Sequence, residues 1–119
     1  MKVLIVEDEL MIADILEAVL IAEGHTVCGI ARTTRQALLL ADQEKPDIAI
    51  IDVQLADGWG TDIAPILFAN NIKVLYTTAS VDSLGPLNIH PCLRKPFHLR
   101  EITSAVRQLD PNQSCSAAT

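Results

Sequence analysis

The sequence predicts an α/β domain built on a doubly wound, five-stranded parallel sheet. Five short apolar runs alternate with segments whose apolar residues recur at helical spacing, and this alternation is typical of parallel sheets with right-handed crossovers. The run at 48–51 is apolar throughout, as expected of a strand buried on both faces. The strand order 2-1-3-4-5 is one of two common solutions, and it brings the first and third strands together.

The composition limits the protein to a single domain with an aliphatic core. Half of the 119 residues are apolar, but only 3% are aromatic. We expect the domain over residues 1–110 and a polar tail over 111–119. The net charge of −6 argues against a nucleic-acid binder. Residues 10–22 are too short and too charged to span a bilayer, and with no signal-type segment we expect a cytoplasmic protein without membrane contact.

The first strand is predicted at 3–6 and the first helix at 9–23, with Gly24 as the residue after the helix. Acidic Asp14 and Glu17 mark the outer face of this helix, and Leu10 and Ile21 fall beside them, where water is expected. Apolar residues at helical spacing predict a core-facing stripe, which consists of Ile12, Ile15, Leu16, Val19 and Leu20.

The remaining elements follow the same alternation. Strands are predicted at 26–31, 47–52, 72–78 and 92–94. Thr33 or Thr34 can cap a helix that runs to about Gln43, and a helix near 61–70 tolerates Pro65 if it lies in the first turn. Gly85-Pro86 limits the fourth helix, due over 81–90, to a turn or two at most. The last helix runs from 97 or 98 to 109, with a predicted core stripe of Leu99, Ile102, Val106 and Leu109.

Chemically active side chains follow four of the five strands. Glu7 and Asp8 follow the first strand, Asp52 ends the third, Thr78 ends the fourth and Lys95 follows the fifth. The carboxyl ends of parallel strands meet at one edge of a sheet, where ligands bind. Three carboxylates that lie close together repel each other unless a cation compensates, and Mg²⁺ prefers oxygen ligands. The set suits a phosphoryl group, with Asp52 as the nucleophile.

These motifs resemble the receiver domain of two-component response regulators. The resemblance rests on Glu7-Asp8 after a strand, Asp52 at a strand end, the pair Thr78-Ala79, and Lys95-Pro96-Phe97. It covers residues 2–110, and the four motifs in this order are highly specific. The family has a flavodoxin-like fold, so the resemblance implies that fold here. It also implies a signalling domain that catalyses only its own Mg²⁺-dependent phosphorylation and dephosphorylation.

The resemblance also assigns roles to individual residues. Asp52 corresponds to the phosphoacceptor, and Glu7, Asp8, Asp52 and the backbone carbonyl of Gln54 correspond to the ligands of Mg²⁺ or Mn²⁺. Thr78, Ala79 and Lys95 correspond to the residues that contact the phosphoryl group. The Lys95–Pro96 peptide bond is expected to be cis, as in the family. The phosphodonor would be a sensor histidine kinase or a histidine phosphotransferase, and signalling would proceed through contact with a downstream protein.

The sequence departs from the family pattern in its output features. Cys92 stands where the family carries a switch aromatic, and Ala56 replaces the usual proline in the loop after Asp52. A pseudo-receiver that binds partners without being phosphorylated therefore remains the alternative. A phosphatase of the haloacid dehalogenase type is disfavoured, because Gln54 stands where such enzymes carry a second acid.

The outer face of the first helix is a candidate partner surface. Leu10, Asp14 and Ile21 would contact a helical phosphodonor there, together with the loop after the fifth strand, or they would form a homodimer face. Isolated exposed apolar residues are also common on ordinary surfaces.

Overall fold

The computed structural model describes residues 1–80, 84–85 and 88–110. Numbered along the chain, the strands of a five-stranded parallel sheet are arranged in the order 2-1-3-4-5, which confirms the predicted order. A separate two-stranded hairpin lies between the third and fourth of these strands in the chain. The strands are β1 (Lys2–Val6), β2 (Thr26–Ala31), β3 (Ile48–Asp52), β4 (Gln54–Leu55), β5 (Gly58–Trp59), β6 (Lys73–Thr78) and β7 (Cys92–Arg94). The helices are α1 (Leu10–Ala22), α2 (Thr34–Glu44), α3 (Gly60–Ala69) and α4 (Leu99–Leu109).

The strand register aligns the carboxyl ends of the central strands. Val6 pairs with Ile51 across β1 and β3, and Asp52 pairs with Thr77 across β3 and β6. Thr78 pairs with Arg94 across β6 and β7. The residues that follow these pairs therefore emerge side by side at one edge of the sheet.

The core fills both faces of the sheet. Alternate residues of β1 divide between two clusters, since Leu4 and Val6 pack on the side of α2 and α3 while Val3 and Ile5 pack on the side of α1 and α4. All five residues of β3 are buried. This burial explains the continuous apolar run that the sequence displays at 48–51.

Two predicted core residues are wrong. Ile15 of α1 is 47% exposed, and the fully buried Ala13 takes its place beside Leu16 and Leu20. Apolar residues occupy nearly the whole circumference of α1, so its spacing leaves the rotation of the helix undecided until it packs against β1 and α4. Leu99 is 53% exposed, because it is the first residue of α4 and the buried stripe begins one turn later at Ile102.

The loop after β3 contains structure that the sequence did not predict. Gln54 pairs with Trp59 in the β4–β5 hairpin, where only a loop was expected. Helix α3 begins at Gly60, so Pro65 is its sixth residue and lies beyond the first turn where it was predicted. Five of the ten residues over 81–90, where a short helix of a turn or two was predicted, and the whole tail over 111–119 lie outside the described residues. None of the helices in the described ranges is long and apolar enough to cross a membrane.

Candidate functional site

A cavity of about 510 Å³ opens at the carboxyl edge of the sheet. Asp52 ends β3 there and is 6% exposed. The elements that follow β1, β3, β6 and β7 each contribute to the wall. The predicted site residues that line the cavity are Asp8, Asp52, Gln54, Thr78, Ala79 and Lys95.

Lys95 connects the two most buried acids of the site. Its Nζ donates to Glu7 Oε1 at 2.7 Å and to Asp52 Oδ2 at 3.1 Å. Glu7 is 1% exposed and the Lys95 side chain 15% exposed, so these bonds are shielded from water. The sequence placed Lys95 beside Asp52, but it did not reveal that the shorter bond goes to Glu7. The structure thus joins the ends of β1, β3 and β7 through one ammonium group.

Burial and crowding change the proton affinity of Glu7. Burial raises the pKa of Glu7 from 4.5 to about 7, the neighbouring Asp52 carboxyl group adds to this increase, and Lys95 only partly opposes it. For Lys95, burial acts to lower the pKa, but the bonds to Glu7 and Asp52 outweigh it and leave the pKa raised. One ammonium group is therefore shared by two carboxylates, and the site still favours additional positive charge.

The acidic residues fit a divalent cation. One carboxylate oxygen from each of Glu7, Asp8 and Asp52 lies within 4.8 Å of the others. Oxygen donors of this kind suit Mg²⁺ or Mn²⁺, and the half-buried Asp8 faces the cavity. The backbone of Gln54 also lies at the site, since its N–H donates to Asp52 Oδ1 at 3.2 Å. The three acids therefore supply oxygen donors of the kind that the receiver resemblance implies for a divalent cation.

Hydrogen bonds with nearby backbone groups hold Thr78 and Lys95 in place at the site. The Thr78 hydroxyl donates to the Ser80 carbonyl at 3.0 Å and accepts from the Ser80 N–H at 3.1 Å. Thr78 is buried, whereas the adjacent Ala79 is exposed in the cavity wall. The Lys95–Pro96 peptide bond is cis, and the Lys95 N–H donates to the Thr78 carbonyl at 2.7 Å.

Two residues between Asp52 and the first turn of α3 shape the site but were not predicted from the sequence. A Cβ atom on Gly60 would lie 2.2 Å from the Asp52 carbonyl oxygen, so only glycine allows α3 to begin so close to β3. Asp57 accepts two bonds from Thr34, one from the N–H and one from the hydroxyl, each at 2.8 Å. The glycine at position 60 could have predicted this close approach, whereas nothing in the sequence links Asp57 to Thr34.

The outer face of α1 exposes more apolar surface than predicted. Leu10 is 55% and Ile21 is 58% exposed, and Asp14 is exposed between them. Met11 is 79% exposed and Ile15 47%. We call these five residues the α1 patch.

The fold and this acid–lysine site define a receiver domain. The family model for the response regulator receiver domain matches residues 3–107, and the chain belongs to this family. It is 41% identical to the phyllosphere-induced regulator PhyR of Methylorubrum extorquens, covering 90% of this chain and 42% of that protein.

Solved structures give the same result. The response regulator PhyR from Brucella abortus superposes with a TM-score of 0.84 at 36% identity, covering 98% of this chain and 50% of that one. SdrG from Sphingomonas melonis Fr1 superposes with a TM-score of 0.76 at 34% identity, covering 91% of this chain and 94% of that one. The chain thus spans about half the length of the PhyR proteins that it matches.

Proposed function

We propose that this receiver domain accepts a phosphoryl group on Asp52 from a phosphohistidine of a sensor kinase or phosphotransferase, and that it signals through protein contact. The observation that carries the proposal is the bonding of Lys95 to both Glu7 and Asp52 at the wall of an open cavity. Converging titratable groups with perturbed pKa values are typical of functional sites.

The transfer itself is a displacement at phosphorus. An oxygen of Asp52 forms the new O–P bond while the P–N bond to the donor histidine breaks, and that nitrogen keeps the electron pair. Lys95 neutralises charge on the phosphoryl oxygens, as lysines do in other phosphoryl-transfer sites. The Thr78 hydroxyl can donate to one of these oxygens only after it releases the Ser80 carbonyl.

Glu7, Asp8, Asp52 and the Gln54 carbonyl would hold the divalent cation. Bound Mg²⁺ or Mn²⁺ would supply Lewis-acid stabilisation of the charge on the phosphoryl oxygens. The Lys95 ammonium group already bonds one oxygen each of Glu7 and Asp52. The additional carboxylate of Asp8 is therefore the group that would favour a divalent cation beside it.

Substitution of the phosphoacceptor tests the proposal most directly. Incubation with acetyl phosphate and Mg²⁺ should add one phosphate, about 80 Da by intact mass spectrometry, and Asp52→Asn should abolish the addition. Asp42→Asn serves as a control, because Asp42 is an exposed acid on α2 and its loss should change nothing. Labelling that persists in Asp52→Asn contradicts the proposal. A wild-type protein that never labels supports the pseudo-receiver alternative instead.

The α1 patch is the proposed contact surface for the phosphodonor or for a second copy of the chain. Its apolar side chains suit a helical partner. Leu10→Glu combined with Ile21→Glu should slow phosphotransfer from a kinase, or dissociate a dimer measured by light scattering, while labelling by acetyl phosphate stays unchanged. If kinase transfer and oligomeric state both remain as in wild type, the patch has neither role.

We also propose that the domain acts without an attached output domain. The match to SdrG, of which this chain covers 94%, supports this, whereas the PhyR matches extend over half of longer proteins. The size of the protein in the cells that produce it, measured by immunoblotting, decides between the two arrangements.

A further inference from the structure

Asp57 joins the β4–β5 hairpin, which follows Asp52, to the first turn of helix α2. Its Oδ1 accepts from the Thr34 N–H at 2.8 Å, and its Oδ2 accepts from the Thr34 hydroxyl at 2.8 Å and from the Arg35 N–H at 3.4 Å. These N–H groups belong to the first turn of α2, which lacks partners within the helix. The carboxylate of Asp57, which lies outside α2, therefore accepts hydrogen bonds from N–H groups at the start of that helix.

The other end of the same hairpin is fixed against Asp52. The Gly60 N–H donates to the Val53 carbonyl at 2.7 Å, and the bare Cα of Gly60 lies against the Asp52 backbone. Gln54 pairs with Trp59 between these points, and both residues line the cavity. The segment that forms this wall is thus held at its base by Gly60 and at its tip by Asp57.

We propose that Asp57 is a positioning residue for the cation site: by tying the β4–β5 hairpin to α2, it holds the Gln54 backbone and Trp59 beside Asp52. This inference rests on the proposed function, because the cation concerned is the one that Asp8 and Asp52 would bind. Asp57 itself does not line the cavity and acts only through the hairpin.

The hairpin, rather than α2, is the part that depends on Asp57. Helix α2 has its own cap, since the Thr33 side chain accepts from the Gln36 N–H at 3.1 Å. The β4–β5 hairpin consists of two strands of two residues each, and such short hairpins are marginal without further support. Short hydrogen bonds to an ionised carboxylate are about twice as strong as neutral ones. The bonds from Thr34 and Arg35 also lower the pKa of Asp57, so the carboxylate is ionised when it makes them.

The experiment compares Mg²⁺ binding in four proteins: wild type, Asp57→Ala, Asp57→Asn and Thr33→Ala. Asparagine keeps an acceptor for the Thr34 N–H, but it removes the charge, and its NH2 group cannot accept from the Arg35 N–H as Asp57 Oδ2 does. Thr33→Ala removes the cap of α2 without touching the hairpin. Binding is measured by calorimetry and by the fluorescence of Trp59, the single tryptophan.

Asp57→Ala should raise the Mg²⁺ dissociation constant about three- to tenfold, less than the roughly 10–100-fold typical of residues bonded directly to ligand side chains. Asp57→Asn should fall between wild type and Asp57→Ala, and Thr33→Ala should stay close to wild type. In the metal-free proteins, acrylamide should quench Trp59 more strongly in Asp57→Ala than in Thr33→Ala, which a role confined to α2 would not produce.

Three other results would overturn the positioning role. Wild-type affinity in a folded Asp57→Ala protein overturns the positioning role and leaves the proposed function intact. Equal losses in Asp57→Ala and Asp57→Asn without stronger quenching of Trp59 assign the effect to long-range charge, and equal losses in Asp57→Ala and Thr33→Ala assign it to α2, so either result overturns the role.

If Asp57→Ala does not fold, Thr34→Val removes one of the three bonds at constant shape and should weaken binding in the same direction. A wild-type protein that binds no Mg²⁺ overturns the positioning role and the cation part of the proposed function together.

Discussion

The two edges of the sheet contain the same types of charged residue, but the contacts between them differ. At the carboxyl edge, Lys95 bonds the buried Glu7 and Asp52 at 2.7 and 3.1 Å. At the amino edge, Lys45 lies 3.5 Å from Asp42, and both side chains are more than three-quarters exposed. Exposed pairs contribute little because water and salt screen them, whereas a buried group that loses its partner is strongly unfavourable. Single charged residues should therefore affect the stability of the fold more at the carboxyl edge than at the amino edge.

Lys95→Ala should produce the largest loss of stability. It leaves two buried carboxylates without their shared cation, and we expect the free energy of unfolding without divalent ions to fall by about 2–4 kcal/mol, near the range for breaking a buried pair. Urea unfolding followed by circular dichroism measures the change. Lys45→Ala is the matched control at the amino edge and should change stability by less than about 0.5 kcal/mol. Similar losses in both variants would erase the contrast between the edges.

Gly60→Ala should have the next largest effect. The added methyl would meet the Asp52 carbonyl at 2.2 Å and Ile51 Cγ2 at 2.6 Å, so the start of α3 must move. Overpacking of this kind costs about 1–3 kcal/mol, and thermal unfolding should report it. In Gly58→Ala the nearest atom to the new methyl is Thr34 Cγ2 at 3.7 Å, an ordinary contact. A Gly60→Ala protein as stable as Gly58→Ala would contradict the close approach.

The contribution of Asp57 should be the smallest and should depend on pH. Because its bonds lower its pKa below 3.8, the folded chain binds fewer protons there than the unfolded chain, so this stabilisation is present above 3.8 and is lost as pH falls through the folded pKa. Wild type should therefore exceed Asp57→Ala in stability at about pH 6, and the gap should narrow toward about pH 3. Urea unfolding across this interval measures it; a gap that stays constant would mean that Asp57 does not act through its charge.

The strand ends were predictable because their signals are local. A buried strand followed at once by a charged residue, as in the run ending at Asp52 and in Glu7-Asp8, fixes the edge at which the residue emerges. Parallel order then brings these ends together. The adjacency of Asp52 and Lys95 follows from the fold alone, although they are separated by 43 positions.

Other features depended on packing that a single segment does not encode. In α1, Ala13 is buried and Ile15 exposed, because the helix rotates to bring a small side chain against the sheet. Leu99 has the right spacing for the core of α4, yet it lies beyond the packed region. The preference of Lys95 for Glu7 required the actual distances between three strand ends.

The sequence by itself determined the order of the five sheet strands, their apolar character and the identity of the groups at their carboxyl ends, since periodicity and turn residues act over a few neighbouring positions. Only the tertiary structure decided which face of α1 is buried, how closely Gly60 approaches Asp52 and that Asp57 reaches Thr34. Those contacts join segments far apart in the chain, and their geometry is set by how helices and hairpin pack on the sheet.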